Sequence, residues 1–161
     1  MQVFGDGLGN AIHFGTRECS IQRRQQKLIE EAPAPGLTNE ETDTICGLAV
    51  SAVSALRYRN AGTLEFLYQD GEFYFVEMNT RIQVEHPVSE LISGRDFVNL
   101  QLSIAANNKL PFNQDSIKLE GSAIECRINA EDEDYNPSPG TVSNVIFPGG
   151  LGVRVDSHLY S

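Results

Sequence analysis

The sequence predicts an α/β fold of the α+β kind: an antiparallel sheet with flanking helices over residues 1–112, then the first strands of a mainly β region over residues 122–161. Three observations predict it. Two short hairpins bracket an amphipathic helix in the first part. After residue 121 the pattern turns to strands alone, separated by proline- and glycine-rich turns. The 161 residues are 40% hydrophobic with 14 glycines, enough for a core in one domain or one and a half.

The elements follow in order. Residues 2–5 and 11–14 read as strands around Gly5-Asp6-Gly7-Leu8-Gly9-Asn10. That glycine spacing is read as a hairpin turn and not a phosphate loop, because Asp6 would repel phosphate and a strand follows. Thr38-Asn39-Glu40-Glu41 is a capping box, and Ile45, Leu48, Ala49, Ala52, Val53 and Leu56 then recur at helical spacing to about residue 58. Residues 63–68 and 73–78 flank Gln69-Asp70-Gly71 as a hairpin. Asp96 caps a second helix, with Phe97, Leu100 and Ile104 on one face, ending near residue 107. Residues 109–121 read as a connection containing the domain boundary, and residues 123–129, 141–147 and 152–157 read as strands.

Net charge is −10, which argues against nonspecific nucleic-acid binding and against a basic membrane-surface protein. Four cations, Arg17, Arg23, Arg24 and Lys27, crowd into one short stretch, as either an anion site or a solvated face. No run reads as a transmembrane helix, and no charged-then-apolar leader follows Met1. Cys19, Cys46 and Cys126 are far apart and in no metal-binding pattern, so reduced, buried thiols in a cytoplasmic protein are expected.

The chemistry gathers on residues 63–81. Strand alternation puts Phe75, Glu77, Asn79 and Arg81 on one face if the strand runs on, with Glu65 on the partner strand. A two-residue turn at Asp70-Gly71 pairs Glu65 with Val76 and separates the two glutamates; a three-residue loop pairs Glu65 with Phe75 and unites them. Two carboxylates and an amide oxygen suit magnesium or manganese better than zinc, and such an ion commonly bridges nucleotide phosphates. An exposed polar sheet face is the competing reading. Further on, Ile124, Cys126 and Ile128 alternate with Glu125, Arg127 and Asn129.

Four segments resemble the biotin carboxylases, the ATP-grasp component of acetyl-CoA carboxylase and of the propionyl-CoA, pyruvate and related carboxylases. They are Ser20-Ile21-Gln22-Arg23-Arg24-Gln25-Gln26-Lys27, Glu30-Glu31-Ala32-Pro33, Glu77-Met78-Asn79-Thr80-Arg81-Ile82-Gln83-Val84-Glu85-His86-Pro87, and Glu125-Cys126-Arg127-Ile128-Asn129-Ala130-Glu131-Asp132. The Glu-x-Asn-x-Arg element is shared by many ATP-grasp ligases, whereas Gln83 to Pro87, with Arg23-Arg24-x-x-Lys27, is far more specific to biotin carboxylation; Gln83 to Pro87 and Arg127 disfavour another ATP-grasp ligase.

The resemblance implies the C-terminal part of an ATP-grasp domain over 1–112 and a truncated biotin carboxylase C-terminal domain over 122–161. It implies that ATP phosphorylates bicarbonate to carboxyphosphate, whose carbon dioxide is captured by biotin on a carrier protein. Glu65, Glu77 and Asn79 would hold two Mg2+ or Mn2+ ions, and Gln22 would lie near ATP with Glu65 and Glu77. Lys27, Arg81, Gln83 and the Val84 backbone would bind bicarbonate, Glu85 would be the general base, and Arg127 would stabilise the biotin ureido oxygen. Arg17 and His13 are read as structural, and Gln25 replaces a histidine common near the nucleotide.

The implied partners are biotin carboxyl carrier protein, carboxyltransferase subunits and a second copy of the full-length enzyme. The family's lid and phosphate-binding lysines have no counterpart in these 161 residues. The chain is therefore expected to be a fragment, inactive alone, of an acetyl-CoA carboxylase component or of a pyruvate or propionyl-CoA enzyme. A non-catalytic truncated module is the other reading. Either way, uncovered sheet edges and apolar surface predict self-association, which a sizing column tests: a clean monomer at high concentration would contradict it.

Overall fold

Val3 and Phe4 stand side by side in the first strand, and both are fully buried. Neighbouring side chains of a strand point to opposite faces, so this sheet must be covered on both sides. The computed structural model, which describes residues 1–159, shows how. The strands β1 (Gln2–Asp6), β2 (Ala11–His13), β5 (Arg59–Gln69) and β6 (Glu72–Asn79) form one antiparallel sheet in the order β2-β1-β5-β6. The strands β3 (Glu18–Arg23), β4 (Gln26–Ala32) and β7 (Ala123–Cys126) form a second, in the order β3-β4-β7. Three helices accompany them: α1 (Asn39–Ala55), α2 (His86–Ser93) and α3 (Phe97–Ala105).

On one face of the first sheet, α1 sets Ile45, Cys46, Ala49 and Val53 against Met1, Val3 and Leu64. On the other, α3 sets Phe97, Leu100 and Ile104 against Phe4, Ile12, Phe14 and Ala61. On the second sheet, Val88 and Ile92 of α2 pack with Ala32 and Ala123. A Cβ on Gly5 would lie 2.2 Å from the Tyr58 carbonyl oxygen, so only glycine lets the chain leaving α1 pass this close to β1. Among the described residues no helix is long and apolar enough to cross a membrane.

The first hairpin and the capping box form as expected: Asp6 Oδ1 accepts from the Leu8 and Asn10 backbones, and Thr38 and Glu41 exchange both capping bonds. Asp96 caps α3 by accepting from Asn99 N at 2.8 Å. One turn of 3₁₀-helix, Gln114–Ser116, interrupts the expected connection.

Other elements add to the expectations, and one expected strand is shortened. The cationic stretch is a hairpin, β3–β4, and its turn holds Arg24 and Gln25 at φ 51° and 64°. Helix α2 is additional, ended by Gly94 in the left-handed conformation at φ 62°. The expected strand over 123–129 is shorter, and β7 pairs with β4 inside the first of two compact units, Met1–Arg127 and Ile128–Ser161.

In the second unit the described residues form no strand over 141–147 or 152–157. Alternating sequence makes a strand only where a neighbour supplies the ladder, and here the described pairing is a single bridge, Glu131 with Pro137. Positions 160 and 161 of the expected second region lie outside the described residues. Of the cysteines only Cys46 is buried; Cys19 is half-buried and Cys126 exposed. Burial pushes the Cys19 and Cys46 thiols up to about 11, which removes thiolate character from both.

Candidate active site

The register of β5 and β6 decides which carboxylates meet. The turn is the two-residue one: Gln69 pairs with Glu72, and Asp70 and Gly71 both take positive φ. That register alone would separate Glu65 from Glu77. A β-bulge intervenes. Phe66 pairs with Phe75, and the next pair is Glu65 with Glu77, so Val76 is the extra residue. The two glutamates therefore stand directly opposite each other on one face, with Thr63 opposite Asn79 beside them.

The same bulge puts Phe75 on the other face, and β6 ends at Asn79, so Phe75 and Arg81 do not share the face of Glu77 as expected. Asn79 Nδ2 bridges the two carboxylates, at 3.1 Å from Glu65 Oε1 and 2.8 Å from Glu77 Oε1. Two carboxylates and an amide whose oxygen can replace its nitrogen by a flip fit a hard divalent cation. Among the described residues no cluster of three His, Cys, Asp or Glu side chains is placed to hold a metal. An ion here would take its other ligands from water or substrate oxygens.

The second half of the site comes from the second sheet. Lys27, on β4, reaches Glu65 Oε1 at 2.9 Å and Glu85 Oε1 at 2.8 Å. Arg127, just past β7, gives Nη2 to Glu85 Oε2 at 2.8 Å and Nε to Glu30 Oε1 at 2.6 Å. The result is an alternating chain of charges, Glu65–Lys27–Glu85–Arg127–Glu30. Glu85 is 2% exposed and sits at the N-cap of α2, where the helix dipole favours negative charge. The face of β7 bearing Glu125 and Arg127 points inward while Ile124 is 62% exposed, the reverse of an ordinary strand surface.

The electrostatics follow from this geometry. Burial works to raise the Glu85 carboxyl, but the Lys27 bond, its own backbone N–H and the Arg17 and Lys27 charges hold it below the usual value. For Glu65, burial is likewise outweighed by the bonds from Gln83 and Lys27. Burial works to lower the Lys27 ammonium, and its two glutamate bonds raise it instead. Glu30 is fully buried, and there burial prevails over Arg127 and pushes its carboxyl up.

A cavity of about 540 Å3 opens over this chain of charges, lined among others by Gln22, Lys27, Glu65, Gln83 and Glu85. Gln83 Nε2 donates to Glu65 Oε1 at 2.7 Å. Lys27, Glu65, Gln83, Glu85 and Arg127 thus converge, with Glu77 and Asn79 joined through Glu65. Two expected residues stand apart and a third lines the cavity without joining the charges. Arg81 is exposed and bonds the Ile82 carbonyl and Asn79 Oδ1; Val84 is exposed; Gln22, on the cavity wall, turns its amide back to the Cys19 carbonyl at 2.9 Å. Sequence reasoning gave Glu30 no role and read Arg17 as structural. No local pattern marks their contacts: Glu30 meets Arg127 only when β4 and β7 pair, and Arg17 meets its acceptors only when β1, β5 and α2 are assembled.

The mixed α/β architecture, two antiparallel sheets with three helices, is that of the ATP-grasp ligases. The family model described as "Carbamoyl-phosphate synthase L chain, ATP binding domain" matches residues 1–113. The biotin carboxylase of Pseudomonas aeruginosa is 56% identical over 162 residues, covering 100% of this chain and 36% of that protein. A pyruvate carboxylase subunit from Methanothermobacter thermautotrophicus is 55% identical, over 99% of this chain and 33% of its own. The Campylobacter jejuni biotin carboxylase in complex with β,γ-ATP superposes with a TM-score of 0.94 at 50% identity, covering 99% of this chain and 36% of that one. The biotin carboxylase domain of the Hydrogenobacter thermophilus 2-oxoglutarate carboxylase, a dimer with MgADP, ADP and bicarbonate, gives 0.91 at 51%, covering 95% and 34%. The chain belongs to the biotin carboxylase family, a family of ATP-dependent ligases, and it spans about a third of the length of these relatives.

Proposed function

We propose that this chain is the metal-, bicarbonate- and biotin-facing part of a biotin carboxylase, in which ATP and bicarbonate form carboxyphosphate and biotin on a carrier protein accepts the carbon dioxide. One observation carries the reading: Lys27 bridges Glu65 and Glu85 while Arg127 holds the other oxygen of Glu85. A cation between a metal-side carboxylate and a buried carboxylate is what a small anion needs in order to be held beside a base.

In this reading Glu65, Glu77 and Asn79 hold Mg2+ or Mn2+ at the ATP phosphates, and Gln22 lies toward the nucleotide. Lys27, Gln83 and the Val84 backbone bind bicarbonate. Arg81, exposed beside Asn79, approaches the anion from the solvent side. Glu85 accepts the bicarbonate proton and Arg127 turns to the biotin ureido oxygen. Residues 1–112 serve the nucleotide and 122–161 begin the C-terminal domain, a division supported by the family match over 1–113. Carrier protein, carboxyltransferase and a second copy of the complete enzyme are the partners. Relatives named for biotin and for pyruvate carboxylation are equally similar, so acetyl-CoA carboxylase in fatty acid synthesis is one of several settings that suit the chain.

The test is ATP cleavage, with Mn2+ binding followed by electron paramagnetic resonance. Joined to the remaining length of the Pseudomonas relative, the chain is expected to cleave ATP only with bicarbonate and biotin present. Glu65→Gln is expected to weaken Mn2+ binding at least tenfold, about 1.4 kcal/mol. Cleavage indifferent to bicarbonate and biotin, or unchanged Mn2+ affinity, would overturn the assignment. The 161 residues alone are expected to turn over no ATP, and metal-dependent turnover by them would refute that part.

A further inference from the structure

Among the described residues, no carboxylate accepts a hydrogen bond from Arg17. Its guanidinium lies within hydrogen-bond distance of four neutral oxygens: Gln2 Oε1 at 3.0 Å, Ser89 Oγ at 3.1 Å, Thr63 Oγ1 at 3.2 Å and Gln83 Oε1 at 3.2 Å. These oxygens come from β1, α2, β5 and the loop before α2. Gln2, Thr63, Ser89 and Gln83 are all buried, so no bulk water substitutes for any of these bonds.

Gln83 is the member that also bonds a carboxylate of the site. Its oxygen meets a guanidinium, which only donates, and its nitrogen meets the Glu65 carboxylate, which only accepts. Flipping the amide would set NH2 against guanidinium and carbonyl against carboxylate, two repulsions in place of two charge-assisted bonds. We propose that Arg17 is a positioning residue which locks the Gln83 amide with its nitrogen toward Glu65 and the bicarbonate pocket. The nitrogen keeps a second hydrogen for an anion beside Lys27. Arg17 also lines the same cavity, and its charge polarises the Gln83 amide from behind. The anion's identity rests on the function proposed above; the lock does not.

The lock is read in the full chain from the Gln83 side-chain NH2 resonances, assigned by their loss in Gln83→Ala. In the wild type they are expected well separated and slow to exchange with solvent. In Arg17→Met they are expected to collapse toward free-glutamine positions with exchange at least tenfold faster. Exchange at the free-glutamine rate in the wild type overturns the proposal, and this outcome does not depend on Arg17→Met folding. Unchanged resonances in Arg17→Met overturn it as well.

The second arm is a double-mutant cycle on 13C-bicarbonate affinity. Arg17→Met is expected to weaken binding about tenfold, and by less than twofold in a Gln83→Ala background. Equal, additive losses in both backgrounds would show that Arg17 acts as a general tie and overturn the proposal. A wild type that binds no bicarbonate defeats the proposed function, while the amide resonances still decide the lock.

Discussion

Glu85→Gln is expected to lower bicarbonate- and biotin-dependent ATP cleavage by about 10²–10⁴-fold, the usual worth of a general base. The side chain is 2% exposed and each of its oxygens faces a cation, Lys27 on one and Arg127 on the other. An amide keeps the shape but can accept no proton, and its NH2 must face one of those cations. Fold stability is expected to fall by only about 1–3 kcal/mol, because Lys27 retains Glu65 and Arg127 retains Glu30.

The acid side of the stability profile gives an independent reading. The folded protein holds the Glu85 and Glu65 protons more weakly than the unfolded chain does, since both carboxyls lie below the ordinary 4.5. Acidification therefore protonates the unfolded state first, and stability present at neutral pH is lost as pH falls through the folded-state values. Thermal melts of Glu85→Gln are expected to show a shallower acid limb than wild type. Turnover within twofold of wild type would remove Glu85 from the chemistry.

That Glu65 and Glu77 share a face was one of two registers the sequence left open; how they come to share it was not legible. The turn at Asp70-Gly71 follows the ordinary two-residue preference, which by itself puts them on opposite faces. The correction is made by a single unpaired valine, Val76, and no glycine or proline announces it. The β3–β4 hairpin escaped for a related reason. Its turn places an arginine and a glutamine where asparagine and glycine are usual, inside a polar stretch without clear alternation. Helix α2 was readable in part, since Val88 and Ile92 lie four apart before Gly94, but eight residues opening on His86-Pro87 offer little periodicity. The residues at 141–157 failed in the opposite direction: they alternate without a described strand to pair with. Lys27, Glu85 and Arg127 were linked by resemblance to known sequences. Their actual contacts depend on β4 lying between β3 and β7, which no local signal encodes.

Arg127→Met is expected to be the most destabilising single change in the site. Removing one partner of a buried ion pair costs about 3–5 kcal/mol, and Arg127, itself 25% exposed, places this case toward the lower end. The cost falls on Glu30. Its carboxylate has no exposure, its Oε1 is held by Arg127, and its Oε2 has no hydrogen-bond partner among the described residues. Glu85, by contrast, keeps Lys27. Without Arg127 the escape open to Glu30 is to take a proton, toward which burial already drives it.

The sign is then opposite to that of Glu85. A carboxyl whose folded value is raised favours the folded state at low pH, and that contribution is lost as pH rises through the folded value. Urea unfolding of Arg127→Met is accordingly expected to show greater stability near pH 5 than near pH 8. Charges from three elements act on Glu30, namely Arg127 beside β7, Glu85 before α2 and Lys27 on β4, and the variant changes only the first. Adding Glu30→Gln should recover most of the loss, since a neutral amide removes the uncompensated charge at nearly the same volume. A double variant no more stable than Arg127→Met would show that the arginine matters here for packing alone, and that the charge alternation from Glu65 to Glu30 ends at Glu85.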